Sequence, residues 1–180
     1  GIMGTDVGTR WFLDDMTAAA VDDPGSVPDL VTELTVPFLP YPLGLLVEGL
    51  GPLVANDAYA TPQVWEAFER DTYHSPRVVW GREVNLLLLG LMRQIDAAHD
   101  HTGALRDQRL RPYVAALEDG LRATLDAVEA SGLKHNEVWS YRIAGGRLQP
   151  VRWGNSSDVQ LWNLTNLVVE FQRARVVERP

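Results

Sequence analysis

A chain of 180 residues, 46% hydrophobic and 22% charged, is long enough to bury a core and too apolar to stay disordered. Its net charge of −8 argues against nucleic acid or an anionic membrane as the main partner, because either rewards a basic stripe, and a neutral ligand fits better. Cysteine is absent, which removes disulfides, thiolate metal sites and thiol nucleophiles; no metal and no cofactor is expected.

The first sixty residues hold no sustained period and are broken by Asp22-Asp23-Pro24-Gly25, Pro28, Pro37, Pro40, Pro42, Gly49, Gly51 and Pro52. Short helices are predicted near Trp11–Val21 and Pro28–Leu34, joined by irregular backbone. Thr61-Pro62 fits an N-cap followed by proline at the first helical position, opening a short helix through Arg70. Residues 61–180 are then expected to form helical hairpins, the whole chain being one partial domain.

Three long helical patterns follow. From Arg77 to about Ala98, apolar residues including Val84, Leu86–Leu89, Leu91, Met92 and Ile95 occupy every side of a helical wheel. A helix apolar all round must be buried all round. The run Leu86–Met92 is far shorter than the roughly twenty residues of a membrane span, and Arg93 closes it. From Arg106 to Ser131, Leu110, Val114, Leu117, Leu121, Leu125 and Val128 form one stripe, so this helix covers a core on one face. Pro112 suits its first turn and Gly132 its C-terminal stop. The third pattern begins at Ser156-Ser157 and runs to about Val177, with uncharged polar members in its early turns, so burial on all sides is expected again, over Val159–Phe171. The order inner, outer, inner is the pattern of two concentric helical layers.

Polar and aromatic residues gather just before the two helices read as buried. Asp71, Tyr73 and His74 lead into Trp80, Arg82 and Glu83; Glu137, Trp139, Trp153 and Asn155 lead into Asp158, Gln160 and Trp162. If both helices belong to one inner layer, the two clusters converge on one mouth. Tryptophan beside carboxylate, arginine and amide suits a sugar, whose ring face stacks on indole while its hydroxyls take hydrogen bonds. Glycoside cleavage needs in addition a protonated carboxyl at the leaving oxygen and a second carboxylate to activate water or attack carbon. Glu137, Asp158, Glu83 and Asp71 are candidates. The competing structural readings are that Asp158 and Asp71 cap helices and that Glu83 forms an ion pair with Arg82. His99 and His101 flank Asp100 in a loop signal and read as solvated residues.

The segments Asp71-Thr72-Tyr73-His74-Ser75-Pro76-Arg77-Val78-Val79-Trp80, Lys134-His135-Asn136-Glu137-Val138-Trp139-Ser140-Tyr141 and Ser157-Asp158-Val159-Gln160-Leu161-Trp162-Asn163 resemble those of bacterial six-hairpin glycosidase-like proteins, distantly similar to glucoamylases and amylo-1,6-glucosidase debranching enzymes. The resemblance runs from about residue 40 to the end. It implies an all-α fold, of which this chain is about half of an α/α toroid, and inverting hydrolysis of an oligo- or polysaccharide. Glu137 is then the base and Asp158 the next candidate, with Asp71, Tyr73, His74, Trp80, Arg82, Glu83, Trp139, Trp153, Asn155, Gln160 and Trp162 lining the sugar site. The family's usual acid motif is not evident, and Asn155 stands where relatives often carry glutamate.

A toroid of twelve helices takes about 200–350 residues or more, so a further segment or chain is expected to complete the ring. The partners expected are therefore carbohydrate and a completing polypeptide. A non-catalytic carbohydrate-binding subunit and a polysaccharide lyase, with Tyr73 and His74 moving the proton and Arg82 neutralising a uronate, are the alternatives.

Overall fold

The computed structural model describes residues 4–72, 75–157 and 165–177. Seven α-helices and five strands lie among the described residues. Three short helices open the chain: α1 (Val7–Leu13), α2 (Met16–Asp22) and α3 (Val27–Thr35). A single helix was predicted across Trp11–Val21; the backbone instead breaks at Asp14-Asp15. The Asp15 side chain accepts a hydrogen bond from the Ala18 N–H at 2.9 Å and so starts α2 afresh.

The centre of the molecule is α5 (Gly81–Ala97), preceded by α4 (Pro62–Glu69). As its apolar wheel demands, Val84, Leu87, Leu88, Leu91, Met92 and Ile95 are all buried, with α1, α6 and α7 packed around it. The crossing with α1 is close because glycines meet there. A Cβ placed on Gly8 would stand 2.7 Å from the Leu87 backbone nitrogen, and one on Gly90 would stand 2.8 Å from the Gly8 carbonyl oxygen. Near the other end of α5, buried Gln94 donates to the Trp11 and Asp14 carbonyls at 2.6 and 2.8 Å. Its Oε1 accepts from the Thr17 hydroxyl at 2.9 Å, so the polar ends of α1 and α2 are satisfied inside the core.

The outer helix α6 (Arg111–Ser131) has the single buried stripe its sequence predicts, through Tyr113, Val114, Leu117, Leu121 and Val128. It ends at Gly132, whose φ of +69° is the left-handed conformation that glycine takes without a Cβ penalty. The last described helix is α7 (Thr165–Val177).

The all-α expectation is wrong. Two antiparallel sheets are present, a hairpin of β1 (Leu46–Val47) with β2 (Gly51–Pro52) and a three-stranded sheet in the order β3 (Val79–Trp80), β4 (Val138–Ala144), β5 (Arg147–Arg152). The segment expected as the loop before a last inner helix is therefore a β-hairpin. Its cause is local: two glycines, Gly145 and Gly146, adopt φ of +58° and +73°, the two-residue turn whose twist matches paired strands. Pro150 lies on β5, at the sheet edge, where its missing N–H breaks no internal ladder bond. With seven helices and two sheets, the described chain is a mixed helix-and-sheet fold and no half of a helical toroid. The expected burial of the third helical pattern on all sides also fails in its described part, since α7 buries Asn166 and Val169 but exposes Leu167, Val168 and Phe171.

Candidate functional site

The described parts of the two segments that carry the polar and aromatic clusters are joined by a strand ladder, in place of parallel inner helices. Val79 pairs with Trp139 and Trp80 with Val138. One residue on, the Gly81 N–H donates to the Glu137 carbonyl at 2.9 Å, which fastens the start of α5 to the start of β4. At the far end of β5, the Trp153 backbone N–H donates to the Val138 carbonyl at 3.2 Å, and its indole Nε1 donates to the Thr72 carbonyl at 3.0 Å. A corner results that joins the segments carrying Asp71, Trp80, Arg82, Glu83, Glu137, Trp153 and Asn155, although up to 84 positions separate them in the chain.

Within the corner, Trp80 and Trp153 are half-buried and Asn155 is exposed in the turn after β5. The Arg82 guanidinium carbon stands 5.7 Å from the centre of the Trp80 ring, a cation–π contact. Arg82 also reaches Glu83 at 3.4 Å. The Glu83 side chain is only 12% exposed, at the first turn of α5. Burial pushes its carboxyl above the ordinary range; Arg82 offsets part of that rise and the charge of Asp6 adds to it. The ion pair with Arg82 is thus present, and burial outweighs it, so Glu83 is more readily protonated than a solvated glutamate.

Glu137 is 3% exposed. Its backbone N–H donates to the Ser157 carbonyl at 3.0 Å, and its Oε2 accepts from the Ser157 N–H at 3.4 Å. The neighbouring Asn136 donates to the Val138 carbonyl and to the Ser156 hydroxyl at 2.9 and 3.1 Å. Glu137 and Asn136 together lock the chain after β5 against the entry to β4. Trp139 does not belong to the surface of the site: it is wholly buried, and its indole donates to the Leu50 carbonyl at 3.0 Å, clamping the sheet to the β1–β2 hairpin. Tyr73, His74, Asp158, Gln160 and Trp162 lie outside the described residues.

Two groups that sequence reasoning did not single out adjoin these. Asp6 comes from the amino-terminal segment to act on Glu83. On the strand side, Ser140 donates to the Arg77 carbonyl at 2.8 Å, and the Arg77 guanidinium pairs with Glu69 at 2.8 Å. Arg77 also hydrogen-bonds Tyr41, whose phenol is raised by burial and by Asp57 and lowered by Arg77. No sequence signal joins Tyr41, Asp57 and Arg77, because only the fold of residues 40–57 against β3 and β4 makes them neighbours. Among the described residues, no group of three or more histidines and carboxylates is arranged to hold a metal ion, and no helix is long and apolar enough to cross a membrane. No family model, no curated protein and no solved structure matches this chain.

Proposed function

We propose that the corner between β3, α5 and β5 binds carbohydrate and that the chain takes part in glycoside hydrolysis. The observation that carries this reading is a strand ladder that joins the segments of two half-buried indoles, Trp80 and Trp153, with the Arg82 guanidinium 5.7 Å from the centre of the Trp80 ring and paired with the largely buried, raised carboxyl of Glu83. Indole faces stack on sugar rings and the charged groups take hydroxyls. A carboxyl raised by burial is the form of acid that protonates a glycosidic oxygen near neutral pH. In this reading Glu83 is the acid, Glu137 the base, and Arg82 both orients Glu83 and keeps its pKa from rising further. Non-catalytic carbohydrate binding is the second reading, favoured by the burial of Glu137 and by its commitment to Ser157.

Calorimetric titration with α-linked gluco-oligosaccharides and turnover of aryl glycosides separate the two. Trp153→Ala is expected to weaken binding by about tenfold or more, the scale of a lost stacking contact. Glu83→Gln is expected to keep binding while lowering turnover by roughly 10²-fold or more. Hydrolysis requires Glu83 protonated, so the rate falls as pH rises through its pKa. Arg82→Met removes the group that lowers that pKa and should move the alkaline limb to higher pH. Binding without turnover in the parent chain favours the second reading, and no binding to any oligosaccharide tested rejects both.

A further inference from the structure

Helix α7 carries two apolar faces. One packs on α5 through Val169. The other, Leu167, Val168 and Phe171, is 65%, 47% and 63% exposed. Spacings of three and four residues place Leu167, Val168, Phe171 and Arg175 on one continuous stripe, turned away from Asn166 and Val169. The stripe does not end at the helix. A groove of about 330 Å³ runs between α7 and α1, with Val168 on one wall, Phe12 on the other and Leu89 and Met92 forming its floor. Phe12 is 36% and Leu13 66% exposed, so α1 extends the apolar surface on the far side of the groove.

We infer that a second copy of this chain covers this surface, the two copies pairing about a two-fold axis through their α7 stripes and α1–α7 grooves. Area is the first argument. Five large apolar side chains at these exposures present roughly 500 Å² per chain, in the upper part of the range of about 300–600 Å² for a monomer's largest apolar patch, a size that is often functional. Two-fold pairing removes about twice that, roughly 1,000 Å², which reaches the lower bound for a specific interface. Charge is the second. The chain is strongly acidic as a whole, yet the groove is lined by Arg93 and Arg175 together with Asp96. A surface of single sign would repel its own copy, whereas one carrying both signs can meet itself with unlike charges opposed. In an antiparallel α7 pair centred on Phe171, the Phe171 rings meet at the axis and the Arg175 end of each helix reaches the Leu167 end of the other.

The experiment is sedimentation velocity and light scattering on the parent chain and on Leu167→Glu/Phe171→Glu, from 1 to 100 μM. A dimer is expected for the parent and a monomer for the variant, with circular dichroism unchanged because both side chains face solvent in the isolated fold. Since the chain has no cysteine, Phe171→Cys supplies a second measurement: oxidation should give a disulfide-linked dimer, whereas a cysteine placed at exposed Glu118 should not cross-link. A parent that stays monomeric at 100 μM, a dimer that survives the double variant, or equal cross-linking at both cysteine positions overturns the inference. A monomeric parent whose stripe is protected only after a different polypeptide is added overturns it as well and assigns the surface to that partner.

Discussion

Helices α5 and α7 look alike in sequence and differ in the fold. Each carries apolar residues on most sides, the pattern of a helix buried all round. In α5 that pattern is answered by α1, α6 and α7 packed around it, and Leu87, Leu88 and Leu91 are buried almost completely. In α7 the same pattern resolves into two faces, one packed on α5 and one open. Apolar periodicity therefore states how much surface a helix needs covered. It does not state what covers it, and the difference between the two helices is the difference between a satisfied demand and an open one.

The sharpest way to break the comparison is to disturb the side of α5 that α1 covers. Gly8 and Gly90 let the two backbones touch, and an added methyl at Gly8 meets Leu87 backbone, which cannot rotate away as a side chain can. Gly8→Ala is expected to cost about 3 kcal/mol, the upper range for overpacking, and to lower Tm by roughly 6–12 °C for a chain of this size. A thermal melt that does not move would show that α1 is not held against α5 as described.

Truncating one leucine on each helix sharpens the contrast. Leu91 on α5 is wholly buried, so Leu91→Ala should cost about 2–5 kcal/mol. Leu167 on α7 is 65% exposed, so at a dilution where the chain is monomeric Leu167→Ala should lie within about 0.5 kcal/mol of the parent. Urea titration of the two variants measures both. Equal costs would mean that α7 is as enclosed as α5.

Much of this was legible in the residues. The burial of α5, the one-faced stripe of α6, its stop at Gly132 and the short helix after Thr61-Pro62 follow from period and punctuation, although Thr61 makes no side-chain cap bond in the fold. The meeting of the segments before α5 and around β4 was legible too, but the expected geometry was not the observed one. The hairpin was missed despite a visible signal: Val138 to Ala144 carries the valine, tryptophan, tyrosine and isoleucine that favour strands, and Gly145-Gly146 is a two-residue turn. Reading that stretch as a loop followed from the toroid that the resemblance implied. The burial of Trp139 and the raised carboxyl of Glu83 were not legible, because each depends on the fold: Trp139 is clamped to Leu50, and Glu83 is raised first by burial, to which the distant charge of Asp6 adds.

The smallest expected effect concerns the polar tie between α6 and α7. The Lys134 ammonium, just past the end of α6, lies 2.9 Å from a Glu129 oxygen and 3.4 Å from one of Glu170 on α7. The hydrogen bond to Glu129 raises the lysine above its ordinary value and, in return, holds the Glu129 carboxyl below its own. The two signs define a window. A carboxyl lowered in the folded state contributes stability above the unfolded value, about 4.3 for glutamate, and loses it as pH falls through the lower folded value. A raised lysine contributes stability below about 10.4 and loses it as pH climbs through the higher folded value. The tie is therefore complete from mildly acidic to mildly alkaline pH and fails at both extremes. Because the Glu129 side chain is 63% exposed, solvent and salt screen the pair, and its whole contribution should stay below about 1 kcal/mol. Global unfolding will scarcely register that. Amide exchange in α7 should, since among the described residues the helix is held by its Asn166 and Val169 face, by the 2.9 Å hydrogen bond from Asn85 Nδ2 to the Thr165 hydroxyl, and by this tie. Lys134→Met is expected to speed exchange across α7 by up to about fivefold at pH 7, the equivalent of such an energy, leaving α5 unchanged. An exchange rate in α7 that ignores both the substitution and added salt would mean that packing alone holds the helix in place.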